Sequence, residues 1–510
     1  MRIATVCVFL VALSGLARAD GGQGPSTATA RRFALVIGNN LPPHAGLSRL
    51  RYADDDAVRW AVTFDALGAE VEVLTELDEE SRRLYGPLSF KPSPPTSASL
   101  SAAVGRLASR VAAAHAAGAH AIFYFVYAGH GDVDGGHGYV ALVDGRLTRD
   151  DLGATVLGRL GADTNHVIID ACRASSFLGD RGPGGERRPW QDAYFAPNAP
   201  RIPHTGFLLA SSSSGLSHEW EEFQAGVFSH EVRSGLLGAA DANGDGLVTY
   251  DELTGFVRLA NLPVTNERFR PHIVSRSPAD SDGVLVDLRG ARPGSLTLDA
   301  AQASAHELLE DRAGVRWADF HMGASGRVHL ILPRPGWSTE GFYLRSLAND
   351  SEYAVPAGRD VRLADLSAAP ERAPHRGALT DAFTHLFELP FDQAALDLLS
   401  ADADLRVEAR SSSPDSDWWT SRSAKVAGIA TLGAGGASLA AAGGFVVSAL
   451  GVQHTADQAS GFDRVGYNQE IDSRNRWATA TAVSGGLLVA AGIGLLLWRR
   501  HAIDSTPSLW

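Results

Sequence analysis

AIFYFVYAGHG (121–131) and NHVIIDACRAS (165–175) are the two stretches that decide the fold. Each begins as a short apolar run closed by polar or glycine residues, the pattern of a strand buried on both faces of a parallel sheet. The first run ends in Gly129-His130-Gly131, and the second passes directly into Asp170-Ala171-Cys172. An imidazole and a thiol then stand at the carboxyl ends of two strands, the edge at which open α/β sheets bind ligands. A cysteine hydrolase needs that pair, because the imidazole takes the thiol proton and the thiolate is the nucleophile. The backbone N–H groups of Gly131 and Cys172 are the candidate oxyanion hole. A glycine beside His130 also lets substrate come close to the backbone. Two other histidines compete for the role. His137 lies in a second Gly-His-Gly triplet, but within a glycine-rich turn, and His166 falls inside a strand, where a core histidine is the simpler reading.

Working outward, RRFALVIGNN (31–40) reads as another buried strand with a polar exit, followed by a helix pattern in ADDDAVRWAVTFDALGAE (53–70) and a strand in VEVLTE (71–76). The Pro-rich FKPSPPTSASL (90–100) is a loop whose Ser/Thr end caps a long helix. A helix near DDLGATVLGRL (150–160) and a strand in GFLLASSS (206–213) complete the alternation. Strands alternating with helices at this spacing predict a largely parallel sheet with helices on both faces. From about 293 the character changes: VHLILPRP, GFYLRSL, YAVPAG and RVEARSS read as short strands around a helix in HELLEDRAG (306–314). We therefore expect an α/β domain over 30–292 and a β-rich accessory domain over 293–415.

At these residues a resemblance becomes specific. The opening strand, the DDDA helix start, strand-GHG and then strand-DAC together resemble the caspase-like peptidases, in particular the bacterial metacaspase-like members of the C14 family. The resemblance covers roughly 30–292. It implies a caspase–hemoglobinase-like fold, a mostly parallel sheet with flanking helices, and a Cys–His dyad formed by Cys172 and His130. Caspases place Gln two residues before the cysteine and use an early Arg to hold substrate Asp. Here Asp170 stands in the first position and Leu50 in the second, with Arg51 one place off. A carboxylate at the pocket floor implies cleavage after Arg or Lys, with Asp56, or else Asp54, as the second carboxylate. The plainer reading of Asp54 and Asp56 is stabilisation of a helix N-terminus.

A second motif is DANGDGLVTYDE (241–252). It matches the twelve-residue EF-hand loop at each ligand position: Asp241, Asn243, Asp245, the Leu247 carbonyl, Thr249 and Glu252, with Gly246 at the sharp turn. Hard oxygen donors at this spacing suit Ca2+, either as a clamp or as an activator of the dyad; metacaspase-like enzymes are often calcium-dependent. The alternative is an Asp/Gly-rich turn without metal.

The 510-residue chain has 45% hydrophobic and 20% charged residues, globular values, and a net charge of −13. That charge argues against nucleic acid, whose affinity comes from Lys and Arg on phosphates. MRIATVCVFLVALSGLARAD has the charge, apolar core and Ala-Arg-Ala ending of a signal peptide over 1–19. After it, Cys172 is the only cysteine left. Apolar segments at 426–452 and 478–498 are each long enough to span a bilayer, which predicts an exported protein anchored in membrane lipid with its peptidase domain outside the cytoplasm. LGDRGPGGERRPW (178–190) offers Arg181, Arg187 and Arg188 to a basic-specific peptidase, so self-processing is expected there. The competing reading is a catalytically silent scaffold or a calcium-sensing interaction protein.

Overall fold

The computed structural model describes residues 30–400, apart from 46, 135–136, 174–201, 212–218, 265–269, 280, 300–305, 324–325, 335, 337–340, 348–350 and 369–384. The signal segment, both apolar C-terminal segments, the RVEARSS strand and the Arg-rich 178–190 loop lie outside the described residues. Among the described residues no helix is long and apolar enough to cross a membrane.

The centre is an eight-stranded sheet. Strands β1 (Ala30–Asn39), β2 (Ala69–Thr75), β3 (His120–Asp134), β6 (Thr164–Arg173) and β7 (Thr205–Ser211) run parallel in the order β2-β1-β3-β6-β7, and β11 (His272–Arg276) closes one edge antiparallel to β7. Beyond the sheet edge β3 runs on into a hairpin with β4 (His137–Ala141), which pairs β5 (Arg146–Thr148). The mostly parallel sheet expected from the two apolar runs is the one observed.

Alternation of side chains along each strand gives the sheet two apolar faces. Phe33, Leu35, Ile37, Phe123, Phe125, Val167 and Ile169 pack on one side with helix α3 (Ser97–Ala116) and the helical stretch 149–160. Ala34, Val36, Tyr124, Val126, Ile168 and Leu208 pack on the other, against α1 (Ala53–Ala66), α4 (Val227–Ser234) and α5 (Tyr250–Asn261). His166 belongs to this second face, where it stacks on Tyr124 and bonds the Tyr250 hydroxyl through Nδ1 at 2.8 Å. It is a core histidine.

The later strands form two small sheets: β16-β13-β19 (Arg327–Ile331, Ser295–Asp299, Val361–Arg362) and β15-β14-β17-β18 (Arg316–His321, His306–Asp311, Phe342–Ser346, Glu352–Val355). Their apolar residues, among them Leu296, Leu309, Trp317, Phe320 and Leu330, share one buried cluster with α4 and α5. The approach is close. Gly238, at φ +122°, lies where a Cβ would meet the His329 carbonyl oxygen at 2.1 Å, so only glycine fits there. The described residues of the central sheet and of the two small sheets thus belong to one compact unit.

One expected element is different. HELLED, read as a helix from its Leu and Glu content, is strand β14, hydrogen-bonded on both sides by β15 and β17. Helix propensity is a weak preference that tertiary context overrides. Here the context is burial: Glu307, Glu310 and Asp311 are all covered. Asp311 is satisfied by the backbone N–H groups of Ala313 and Val315.

Candidate active site

Strands β3 and β6 run side by side, and their register pairs His130 with Cys172 and Ala128 with Asp170. Neighbouring strands lie about 4.8 Å apart, so the backbones of the two candidate dyad residues are adjacent at the sheet's carboxyl edge. Gly131 is the next position along β3 and pairs Val140 of β4. The strand end is braced by Tyr127, whose hydroxyl lies 3.0 Å from the His130 carbonyl and 2.8 Å from that of Ala141. His137 opens β4 on the exposed side and is not at the strand junction.

His130 is buried, 3% exposed. Among the described residues neither ring nitrogen has a hydrogen-bond partner. Burial pulls its pKa down to about 4, with the nearby Ser48 backbone offsetting a part and His44 adding a small repulsion. The ring is therefore a neutral imidazole around pH 7. Asp132, two residues on, does not orient it: that carboxylate meets His44 Nε2 at 3.1 Å.

Next to this edge is a small cavity lined by Leu50, Ala53, Asp56, Ala128, Gly129, Asp170, Glu219 and Gly226. Asp170 and Asp56 face it from β6 and from the first turn of α1. The Ser229 N–H donates to Asp170 Oδ2 at 3.0 Å and the Gly226 N–H to Asp56 Oδ2 at 2.8 Å. Arg233 donates to Asp56 Oδ1 at 2.6 Å. Burial pushes Asp56 up to about 6; Arg233 opposes this and Asp170 adds to it. Leu50 lines the cavity, whereas Arg51 stacks over Tyr52 and reaches toward Glu221 instead.

The three consecutive aspartates divide their work. Asp54 accepts from Asn40 Nδ2, the Asp78 N–H and the Ser81 hydroxyl, and does not line the cavity. Asp55 accepts from the Tyr85 hydroxyl at 2.8 Å. Capping of α1 comes from elsewhere, since Asn40 Oδ1 accepts the Ala53 N–H at 2.8 Å.

Glu219, unforeseen from the sequence, supplies the cavity's third carboxylate. It sits in the short hairpin of β8 (Glu219–Trp220) and β9 (Ala225–Gly226) and accepts the N–H groups of Arg51 and Tyr52. Burial pushes it up to about 6, offset by those two N–H groups and reinforced by Asp56 and Asp170. Nothing in SHEWEE distinguishes Glu219 from its acidic neighbours without the hairpin.

The 241–252 loop joins α4 to α5. Asp241 accepts from the N–H groups of Gly244, Asp245 and Gly246, with Gly246 at φ +81°. Thr249 and Glu252 form a capping box on α5. As these side chains stand, no three His, Cys, Asp or Glu among the described residues converge as metal ligands. The donor chemistry nevertheless fits a hard cation. Asp241 is raised by burial and further by its neighbours Glu252 and Asp245, so three carboxylates repel one another within one turn.

A parallel sheet with a histidine and a cysteine paired at its carboxyl edge, beside an acid-lined cavity, defines the class: an α/β domain of the cysteine-peptidase type. Residues 31–254 match the caspase domain of the C14 peptidases, and the chain carries a caspase-like C14 peptidase domain. It is similar to a solved pro-sf-caspase-1 structure, at 15% identity over 48% of this chain and 88% of that one, with a TM-score of 0.31. It is also similar to caspase-1 from Spodoptera frugiperda, at 14% identity over 51% and 92%, with a TM-score of 0.30. No functionally curated protein matches the chain.

Proposed function

We propose that the chain is an exported, membrane-tethered cysteine endopeptidase that cleaves peptide bonds after Arg or Lys. The observation that supports this most is the acid-lined cavity beside the His130–Cys172 register pair. A cation at the cleaved residue would meet Asp170, Asp56 and Glu219 where desolvation strengthens attraction. A substrate aspartate would meet only repulsion.

In this reading His130 takes the Cys172 thiol proton, and the thiolate attacks the scissile carbonyl carbon. The oxygen gains the negative charge and is held by the N–H groups of Gly131 and Cys172. As the tetrahedral intermediate collapses, the C–N bond breaks and His130 returns the proton to the leaving amine. Water, deprotonated by His130, then attacks the thioester; the C–S bond breaks and the thiol is restored.

Asp241, Asn243, Asp245, the Leu247 carbonyl, Thr249 and Glu252 are the residues that would hold calcium, and its charge would relieve the repulsion within the loop. Export through 1–19, anchoring through 426–452 and 478–498, and self-processing within 178–190 belong to the same proposal and rest on sequence pattern.

The test is an assay of the purified protein on fluorogenic peptides ending in Arg, Lys or Asp, with calcium or chelator, beside Cys172→Ala. Cleavage after Arg or Lys that disappears in Cys172→Ala is the expected result. Cleavage dominated by Asp overturns the specificity. No cleavage under any condition moves the assignment to a silent scaffold.

A further inference from the structure

The wall of the cavity that carries Glu219 and Gly226 is a tight hairpin, and the residues at its tip are held from outside the caspase-like sheet. Arg316, at the start of β15, donates through Nη2 to Glu222 Oε1 at 3.1 Å. Its guanidinium also lies over the Phe223 ring, 5.6 Å from the centroid. Phe223 is stacked between partners: His230 lies face-on at 3.9 Å and Trp220 edge-on at 4.5 Å. The Phe223 carbonyl accepts from Arg59 of α1.

Behind Arg316 is a buried polar knot. Asp319 is fully covered and bonds His230 Nε2 at 2.8 Å and His306 Nε2 at 2.7 Å. Arg316 Nη1 stands 3.6 Å from the same carboxylate, and Arg316 Nε stands 3.5 Å from Glu310. The Arg316 charge, with the hydrogen bonds from His230 and His306, holds the Asp319 carboxyl far below its ordinary range despite burial. Arg316 is thus fixed from β14 and β15 while its fork reaches the hairpin tip. An arginine suits this place because one planar group can bond a carboxylate and stack on a ring together.

We infer that the accessory sheet is a working part of the substrate pocket, with Arg316 as a positioning residue that clamps the 221–224 tip and so sets where Glu219 and Gly226 stand. The consequence is specific. Loosening the clamp moves the cavity wall but leaves the His130–Cys172 register, carried by β3 and β6, as it was. Substrate binding then suffers while the chemical step does not. The kinetic half of this inference rests on the peptidase reading; the structural half does not.

The experiment compares the full chain with Glu222→Gln, Arg316→Lys and Arg316→Gln. Glu222 is 39% exposed at its side chain, so its variant tests the clamp without opening the core. Two readouts are taken on folded protein: hydrogen exchange of the 219–226 amides, and KM and kcat on peptides ending in Arg. The expected result is faster exchange confined to 219–226, with KM up about five- to tenfold and kcat within about twofold. Arg316→Lys, which keeps the charge but loses the fork, falls between wild type and Arg316→Gln. Exchange unchanged in Glu222→Gln and Arg316→Lys overturns the inference, as does faster exchange with an unchanged KM. If the wild type cleaves nothing, the peptidase reading fails separately, and exchange alone decides whether the clamp holds the hairpin.

Discussion

Gly226 stands so close to Asp170 that a Cβ placed on it would lie 2.5 Å from the Asp170 Oδ2 oxygen, and 3.1 Å from Asp56 Oδ2. The residue that gives its N–H to one pocket carboxylate therefore leaves room for the other only because it has no side chain. Gly226→Ala is expected to displace Asp170 and lower kcat/KM on Arg-ending peptides at least about tenfold, about 1.4 kcal/mol in transition-state binding. A melting curve and steady-state kinetics on the same preparation check this. A pocket with slack would show wild-type kinetics.

Asp170 and Asp56 should fail in different ways. Asp170→Asn keeps an acceptor for the Ser229 N–H and removes only charge, so it should fold normally. Its kcat/KM on basic peptides should drop about a hundredfold, on the order of 3 kcal/mol. Asp56→Ala strands the Arg233 guanidinium, 1% exposed; among the described residues the Nε and Nη2 of Arg233 have no partner already. Losing one member of a buried pair costs about 3–5 kcal/mol. Urea unfolding of both variants separates the two outcomes.

The pH dependence follows from burial. Asp56 and Glu219 are pushed up to about 6, and His130 is pulled down to about 4. Below about pH 6 the two carboxyls take up protons and lose their attraction for a cation, while His130 stays neutral until about pH 4. Falling pH should thus raise KM for Arg-ending peptides through the window around 6, with kcat holding until more acid conditions. A kcat that falls with an apparent pKa near 6.5 and a flat KM would contradict this.

For the 241–252 loop, Asp245 is the cleanest probe, because it is exposed and its hydrogen bonds to Asp241, Asn243 and Leu247 stay within the loop. Calcium at about ten times its dissociation constant should stabilise the wild type by about 1.4 kcal/mol. Asp245→Ala should lose that gain while melting near the wild-type temperature in chelator. Calorimetric scans with calcium and with chelator decide it; equal scans for the wild type would leave the loop a turn without metal.

The apolar runs at 121–128 and 167–169 were legible because strands buried on both faces are apolar at nearly every position, and their polar exits mark the edge where chemistry can occur. A lone thiol after an imidazole-bearing strand was legible for the same reason. In the DDDA segment only a cluster of carboxylates could be read. Which one faces the cavity depends on Asn40 and Ser81 claiming Asp54 and on Tyr85 claiming Asp55. His166 is legible as a core residue, because a histidine beside an apolar run has to be packed and bonded there, as it is by Tyr250.

By itself, then, the sequence determined the parallel sheet, its carboxyl edge and the pairing of a histidine strand with a cysteine strand. These are carried by local periodicity and by neighbours a few residues away. Only the tertiary structure decided that HELLED is a strand, that Glu219 joins Asp56 and Asp170, and that Arg233 backs Asp56. It also brought Arg316 of the accessory sheet onto Glu222. Each of these rests on a contact between distant segments, whose single side chain leaves no repeating signal in the sequence and whose energy exists only once the sheets have packed.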